Sequence, residues 1–226
     1  YLKPYAYYFD IDHDYIDYTK YDYVEAMMKN VSHLREVLEL HTQMLYYNAL
    51  DEYGKPLRKP MEKSDFNGNV LITLSSLLTF VKRTLACDAE YAPFRILDME
   101  MPIASKGKIP VDETHAFDTN GIIDRLDYKD GVLRILDYKT GSKPSSYSIT
   151  WERMFSEKAS SFQQNALQTC LYAMLMQDAD TDLPPNIAAL AHREDVGLRT
   201  ALFYPQAALD KTYSPELQYS NPDKSK

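Results

Sequence analysis

The sequence has little cysteine, no long hydrophobic run and no excess of positive charge, and each shortage excludes a class of protein. Its 226 residues include two cysteines, Cys87 and Cys170, with neither a CxxC nor a histidine spacing. We therefore expect buried thiols in a reducing compartment, without a disulfide or a cysteine-based metal site. No apolar run approaches the roughly 18 residues of a membrane span, and no signal peptide stands at the start. These shortages predict a cytoplasmic protein with no membrane partner.

The net charge of −8 is unevenly distributed along the chain. Residues 1–53 carry ten Asp and Glu against four Lys and Arg, together with eleven of the 19 tyrosines. A protein that binds DNA mainly through its phosphates should be basic, so this balance argues against a stand-alone DNA-binding module. The acidic, Tyr-rich segment is either a solvated face or a docking surface for a partner chain.

The hydrophobic pattern predicts one α/β domain, with or without an appendage. Apolar content of 45% and charged content of 26% are globular values. Residues 1–22 look extended or irregular, and helical spacing follows over 23–50 and 70–87, the second helix being apolar on most faces and so buried. The later predictions are, in chain order, a strand at 94–103, hairpin strands at 117–128 and 132–139, a helix at 160–177, and strands at 187–192 and 198–204. The order is therefore helix, three strands, helix, strand.

The stretch "GIIDRLDYKDGVLRILDYKTG", residues 121–141, places two aspartates and a lysine among apolar side chains. The Asp-Gly pair at 130–131 is typical of a two-residue hairpin turn. Such a turn fixes a register in which Asp124 lies directly opposite Asp137, with Cβ atoms about 5 Å apart. Lys139 falls on the same face.

That register also assigns the neighbouring side chains to the two faces of the hairpin. Ile122 and Leu126 should share the face of the aspartates, which would be apolar near the turn and acidic away from it. On the opposite face, Asp127 lies across from Arg134 as an ordinary cross-strand ion pair.

Two carboxylates directly opposed beside apolar neighbours destabilise each other, so something must compensate. A shared proton, the ammonium of Lys139 or a bound cation could do so, and a divalent ion with oxygen ligands is the most complete answer. With a lysine alongside, this set suits metal-assisted phosphodiester hydrolysis. The alternative is a surface hairpin with incidental charges and a slipped register.

Three motifs resemble those of the PD-(D/E)xK nuclease superfamily, in the branch of bacterial RecB and AddB nuclease domains. They are G-x-x-D-R in "GIIDR", D-Y-K-T-G in "DYKTG" and Q-x-x-x-Y in "QTCLY", within a similarity that spans roughly residues 94–205. The resemblance implies a restriction-endonuclease-like core, a central mixed sheet flanked by helices. We assign this nuclease domain to residues 67–226, after an acidic N-terminal extended segment and helix at 1–66 that could dock a partner.

The resemblance implies roles for the residues of the hairpin. Asp124 and Asp137 would bind Mg²⁺ or Mn²⁺, with the backbone carbonyl of Tyr138 as a further ligand. Lys139 would act on the attacking water.

Other residues take supporting roles in the same comparison. Gln168 and Tyr172, four residues apart on one helix face, would position the DNA strand or the catalytic groups; taken alone, this pair reads as a surface glutamine beside a core tyrosine. Glu100 matches an acidic position in the strand before the hairpin, either supporting the site or purely structural. Arg125, the last residue of the G-x-x-D-R motif, is also assigned a secondary role at the site.

The RecB-like branch usually takes another metal ligand, often a histidine in a Gly-x-x-x-His setting, from an upstream helix. His33 and His41 are the candidates here, and neither has the glycine. A lone histidine on such a helix is more often structural, so the ligand could also lie before Tyr1.

The resemblance implies a Mg²⁺-dependent deoxyribonuclease, an exonuclease of DNA recombination and repair in the bacterial cytoplasm. It would act within or beside a helicase, whose DNA contacts would make the acidic balance tolerable. One alternative is a catalytically inactive nuclease fold used for DNA or protein binding, and a weaker one is a phosphatase of small molecules. Inactive copies of this fold typically lose the aspartate or the lysine, so the presence of Asp124, Asp137 and Lys139 favours activity. The Q-x-x-x-Y motif argues against the phosphatase.

Overall fold

A computed structural model describes most of the chain from Lys29 onwards, and the expected irregular segment 1–22 lies outside the described residues. These comprise residues 29–51, 54–104, 109–110, 116–117, 119–142, 144, 146–178 and 181–220. They form two compact units, divided between Pro93 and Phe94. The expected domains 1–66 and 67–226 stay a prediction.

The first unit is helical in its described part. Helix α1 spans Val31–His41 and continues into a π-helical turn, Thr42–Tyr46. The Asn30 side chain caps α1 by accepting the His33 N–H at 3.2 Å. One continuous helix over 23–50 is therefore wrong in its described part, because an asparagine side chain that bonds the backbone starts a new helix.

Helix α2, Gly68–Tyr91, follows a 3₁₀ turn at Lys63–Asp65 and confirms the second predicted helix. It is less buried than we expected, since apolar side chains such as Leu71 and Ile72 are exposed. Within the described part of the chain it alone is long and apolar enough to cross a membrane, with a mean hydropathy of 1.5 over 18 residues. That finding rests on length and composition only. A search for unbroken apolar runs does not detect this helix, because Ser and Thr residues interrupt its apolar residues.

The second unit is built on a mixed four-stranded sheet, which confirms the predicted α/β class. Its strands in spatial order are β1 (Arg95–Ala104), β4 (Asn120–Lys129), β5 (Val132–Tyr138) and β7 (Gly197–Phe203). The first three are antiparallel neighbours, and β7 runs parallel to β5. Three strands, a helix and a strand thus follow one another as predicted.

Short elements surround this sheet. They are β2 (Ile109–Pro110) paired with β3 (Ala116–Phe117), β6 (Ile149–Thr150) paired with β8 (Tyr219–Ser220), and helices α3 (Trp151–Met154), α4 (Ser161–Gln177) and α5 (Pro185–Ala191). The strand predicted at 187–192 is wrong, because residues 187–191 belong to α5 and His192 is its C-cap. A short apolar run does not distinguish strand from helix, and Pro185 at the first turn with several alanines favours the helix.

The hairpin between β4 and β5 has the predicted register. Asp130 and Gly131 have φ angles of 49° and 81°, the left-handed conformations of a type I′ turn. Five pairs follow this register, from Lys129–Val132 at the turn to Arg125–Leu136.

One face of the sheet packs against α4. Its buried cluster includes side chains from all three antiparallel strands and from the second half of α4, among them Met101, Ile123, Leu126, Leu133, Ile135, Tyr172, Leu175 and Met176. This apolar layer fixes α4 across the sheet.

The opposite face carries a buried ion cluster in place of the expected ordinary ion pair. Asp127 is fully buried and binds two arginines, both of which are also buried. Its Oδ2 accepts Arg125 Nε at 3.0 Å and Arg134 Nη2 at 2.7 Å, and its Oδ1 accepts Arg134 Nε at 3.0 Å. Buried charges require such pairing because desolvation is costly, so this cluster is a fixed part of the frame.

We predict that Asp127→Asn lowers the free energy of unfolding by about 3–5 kcal/mol, because it leaves two buried guanidinium groups without their carboxylate. Urea unfolding followed by circular dichroism measures the change. Glu194→Gln, which removes an exposed carboxylate, is the matched control and should stay within about 0.5 kcal/mol of wild type. Equal losses in the two variants would contradict the prediction.

Candidate active site

The two aspartates lie where β4 and β5 cease to pair regularly. The last regular pair is Arg125–Leu136, one position before them. At the next position Asp124 Oδ2 accepts the Tyr138 N–H at 2.7 Å. The Asp124 carboxylate thus takes the place of a backbone acceptor, and its side chain is held at the strand end beside buried Asp137.

The neighbouring strand is irregular at the same level. The pairing of β1 with β4 skips Asp124 and the opposite position, Glu100. Glu100 has a φ of 55°, which is uncommon for a residue other than glycine and is often found at functional sites. Glu100 is exposed, so its predicted supporting role stays a prediction, now with a place beside Asp124 in the sheet.

This irregularity changes which side chains face the core. Ile122 was expected on the apolar face but is 51% exposed, whereas Ile123 is buried opposite Met101. Leu126, of opposite parity, lies in the same buried cluster as Ile123. The alternation assumed for a regular strand therefore fails at Asp124, where neither neighbouring strand offers a regular pair.

A continuous chain of polar contacts runs from the aspartates to α4. Lys139 Nζ lies 2.7 Å from Asp137 Oδ2 and donates to Gln168 Oε1 at 3.3 Å. Gln168 Nε2 in turn donates to the Tyr172 hydroxyl at 2.7 Å. The structure therefore brings together the hairpin and helix residues predicted from separate motifs.

Helix α4 and strand β4 meet at a glycine. A Cβ atom on Gly121 would lie 2.4 Å from Tyr172 Cε1, closer than two carbon atoms approach without a shift. The glycine that opens the G-x-x-D-R motif is thus required by the tyrosine of the Q-x-x-x-Y motif.

At the start of α4, Ser160 and Gln163 form a capping box that fixes where the helix begins.

Arg125 supports the site from the face of the sheet that carries the ion cluster. Its guanidinium donates to the Tyr138 hydroxyl at 3.0 Å and lies over the Phe94 ring, 4.8 Å from the centroid. Tyr138 is therefore held through its side chain, while its backbone N–H holds Asp124.

Sequence reasoning missed Asn165 and Tyr204. Asn165 Nδ2 donates to the Tyr204 hydroxyl at 3.3 Å, and burial is the main cause that raises the pKa of Tyr204. Asn165 lies three residues before Gln168 on the same helix face, a signal that the sequence offered. Tyr204 follows β7, whose parallel register beside β5 was not predictable from the pattern.

Burial controls the ionisation of the two aspartates. It raises the pKa of Asp137 to about 6, against the opposing hydrogen bond and charge of Lys139. Burial likewise raises the pKa of Asp124, opposed first by the Tyr138 N–H and then by the Lys139 charge. Neighbouring carboxylates that are costly to ionise are stabilised in their charged forms by a cation.

The donor set fits a hard divalent cation. Across the described ranges, no group of three or more His, Cys, Asp or Glu side chains is placed to hold a metal ion. Mg²⁺, however, is commonly bound through one or two carboxylates, with water and substrate phosphate completing its shell. The carboxylates of Asp124 and Asp137 fit that requirement, and the backbone carbonyl of Tyr138, the residue after Asp137, is a further oxygen donor.

Both candidate histidines lie on α1 in the first unit. His33 Nδ1 is 3.7 Å from Glu36 Oε2, and both side chains are well exposed. His41 lines a hollow of about 210 Å³ with apolar neighbours such as Leu38 and Leu45. Their predicted role as metal ligands stays a prediction.

Two clefts of the second unit contain members of the polar chain. The first, about 900 Å³, is lined by Lys139, Tyr204 and the loop after β5. The second, about 720 Å³, is lined by Gln168, Tyr172 and the start of β4. The site therefore offers room for an extended ligand along the end of the sheet.

Comparison with known families agrees with this geometry. The model of the PD-(D/E)XK nuclease superfamily matches residues 23–222, most of the chain. The protein therefore belongs to the PD-(D/E)XK nuclease superfamily, and its sheet and helices form the expected restriction-endonuclease-like core. Members of this superfamily typically use divalent metals. A search of curated proteins gave no significant match.

We predict that Gly121→Ala destabilises the protein by about 1–3 kcal/mol, because the new methyl group displaces the Tyr172 ring. Thermal unfolding measures the loss. Gly141→Ala is the matched control, since a Cβ there has nothing within 4 Å. In a Tyr172→Ala background the cost of Gly121→Ala should shrink. An unchanged cost would show that the contact with Tyr172 is not its cause.

We also predict a pH dependence for the metal-free protein. Because the pKa of Asp137 is about 6 when folded and about 3.9 when unfolded, the folded state binds more protons between these values. The free energy of unfolding therefore falls as pH rises from about 4 to 6, with at most about 1.4 kcal/mol per pH unit from this group. Urea unfolding in EDTA should show a shallower decline for Asp137→Asn than for wild type. Asp130→Asn, at an exposed turn position, should retain the wild-type slope. Parallel slopes for all three proteins would refute the assignment.

Proposed function

We propose that this chain is a metal-dependent deoxyribonuclease that hydrolyses phosphodiester bonds. The observation that carries this proposal is the contact chain Asp137–Lys139–Gln168–Tyr172, with Asp124 held beside it by the Tyr138 N–H. Carboxylates that can hold a metal ion, with an ammonium group positioned by an amide at one strand end, suit metal-assisted hydrolysis of a phosphodiester.

The chain's own residues divide the work. Asp124, Asp137 and the Tyr138 carbonyl would hold Mg²⁺ or Mn²⁺, which when bound polarises a phosphoryl oxygen and acidifies a water molecule. The Lys139 ammonium has three donors; it forms an ion pair with Asp137 and donates a hydrogen bond to Gln168. The third is available to orient the attacking water or to stabilise negative charge on the phosphate.

Gln168 and Tyr172 act as positioning residues in this proposal. The Tyr172 hydroxyl accepts the Gln168 amide, which leaves the amide oxygen directed at Lys139. Tyr172 is itself fixed by burial and by its contact with Gly121. The ammonium group is thereby held at the strand end, where a strand lying along the clefts would pass.

The finer assignment is an exonuclease of DNA recombination and repair that acts with a helicase. Its support is the resemblance of the three motifs to RecB and AddB nuclease domains. The net charge of −8 also supports a partner, because it provides little phosphate neutralisation outside the site.

We predict that the protein degrades linear DNA in Mg²⁺ or Mn²⁺ but not in EDTA. Asp137→Ala and Lys139→Ala should each slow cutting by about 100-fold or more, because each removes a group that stabilises the transition state. Release of a labelled nucleotide from linear and circular DNA measures the rate and separates exonuclease from endonuclease action. Lys211→Ala, which removes an exposed lysine, is the control and should cut at the wild-type rate.

Metal binding is checked separately by thermal unfolding. Saturating Mn²⁺ should raise the melting temperature of wild type, by the equivalent of about 2.7 kcal/mol at one hundred times the Kd, and should not stabilise Asp124→Ala. Wild type that binds Mn²⁺ but cuts no DNA would identify an inactive nuclease-fold module and refute the enzyme. Equal shifts in both proteins would remove Asp124 from the metal site.

A further inference from the structure

The cleft beside Lys139 differs in charge from the chain as a whole. The charged residues among its described lining are Lys139, Arg153 and Lys158, all cationic, although the chain carries a net charge of −8. Glu152 and Glu157 lie on the same segment but do not line the cleft. Most of the remaining lining consists of hydroxyl and amide side chains. A polyanion is the ligand that such a surface complements.

Helix α3 contributes Arg153 to the cleft, and its first residue, Trp151, forms an exposed aromatic pair with its C-cap, Phe155. Trp151 is 46% exposed, and Phe155, one turn further on, is 69% exposed. Their rings are nearly parallel, at 15° with centroids 6.4 Å apart. Large aromatic side chains are usually covered in a folded protein, so a parallel pair left in solvent needs an explanation.

A third ring holds this pair in place. Tyr219 of β8 stacks on Trp151 at 16°, with centroids 5.7 Å apart. The Tyr219 hydroxyl forms a 2.7 Å hydrogen bond with Thr200 Oγ1 of β7 and accepts a hydrogen bond from the Cys170 thiol of α4 at 3.1 Å. These two bonds anchor its ring to β7 and α4. We call Trp151, Phe155 and Tyr219 the aromatic platform. It is preorganised, because its inner ring is fixed by the fold.

We propose that the aromatic platform and the cationic wall of Arg153 and Lys158 bind single-stranded DNA and lead one strand to Lys139. This inference rests on the proposed nuclease function for the direction of the strand, and on the platform itself for the selection of unpaired bases. The segment 151–158 would contact both parts of the strand, with bases on its exposed rings and phosphates along the cleft.

The platform discriminates by base exposure. In a duplex the faces of the bases are stacked on one another, so an exposed ring on the protein has no base face to bind. In a single strand every base has a free face, and stacking on aromatic side chains contributes about 1–3 kcal/mol per base. The cationic wall alone would bind both forms, because phosphates are common to them. The aromatic platform therefore makes the difference between single- and double-stranded DNA.

Trp151 is the single tryptophan of the chain, so its emission reports directly on the platform. We expect a 20-nucleotide oligo(dT), titrated in EDTA so that nothing is cut, to quench that emission, and a blunt duplex of equal length to leave it nearly unchanged. Fluorescence anisotropy of labelled oligo(dT) gives the Kd. Phe155→Leu, which keeps an apolar side chain without a ring, should raise this Kd by about 5- to 150-fold. The Kd for the duplex should change by less than about 2-fold.

Matched variants separate the two parts of the site. Arg153→Ala should weaken single strand and duplex alike and reduce the salt dependence of both. Leu209→Ala removes an equally exposed apolar side chain elsewhere in the unit and should change neither Kd. Thermal unfolding of each variant checks that the fold is intact.

Two binding results would overturn the inference, and a third result comes from the activity of the protein. One is equal quenching of Trp151 by oligo(dT) and by the duplex. The other is an unchanged oligo(dT) affinity in folded Phe155→Leu, which would leave the rings as a protein-docking surface. Because binding is measured without cutting, a failure of the nuclease assay leaves this test intact. Conversely, active protein whose preference between single and double strands is unaffected by Phe155→Leu would refute the platform and keep the nuclease.

Discussion

The hydrogen bond from the Tyr138 N–H to the Asp124 carboxylate is the contact on which the site depends. On the turn side of it, β4 and β5 pair through their backbones. Beyond the last pair a side chain replaces the backbone acceptor, so Asp124 is drawn to the strand end and lies beside Asp137. Burial then raises the pKa of both carboxyl groups, and Lys139 opposes that shift. The termination of a β-ladder thereby creates a position suited to a cation.

The ion cluster on the face of the sheet opposite α4 gives this arrangement its rigidity. Asp127 binds Arg125 and Arg134 in the protein interior, and removal of Asp127 would leave two buried guanidinium groups without their carboxylate. Arg125 extends the cluster to the Tyr138 hydroxyl. Arg125, one position from Asp124, thus links the ion cluster of the sheet to Tyr138, whose backbone N–H orients the Asp124 carboxylate.

Local rules predicted the hairpin because its information is local. An Asp-Gly turn fixes the register, and that register holds for all five regular pairs. The same rules failed at Ile122 and Ile123, because strand alternation was continued through Asp124, where the pairing with β1 is also interrupted. The order of the core elements followed from periodicity, whereas the helix at Pro185–Ala191 has too few residues for its period to be recognised. Tyr204 could not be placed, since its position depends on a parallel pairing between segments more than sixty residues apart in sequence.

The contact between Gly121 and Tyr172 joins two motifs through residues that are 51 positions apart in the chain. Because the ring occupies the volume that a Cβ would need, the size of one residue limits the size of the other. A mutagenesis library that varies either position alone would therefore sample mostly impaired proteins. A library that varies them together could exchange a glycine and a large ring for two residues of intermediate size. Such paired variants would alter the distance between α4 and the strand end, and with it the placement of Gln168 against Lys139, in small and controllable steps.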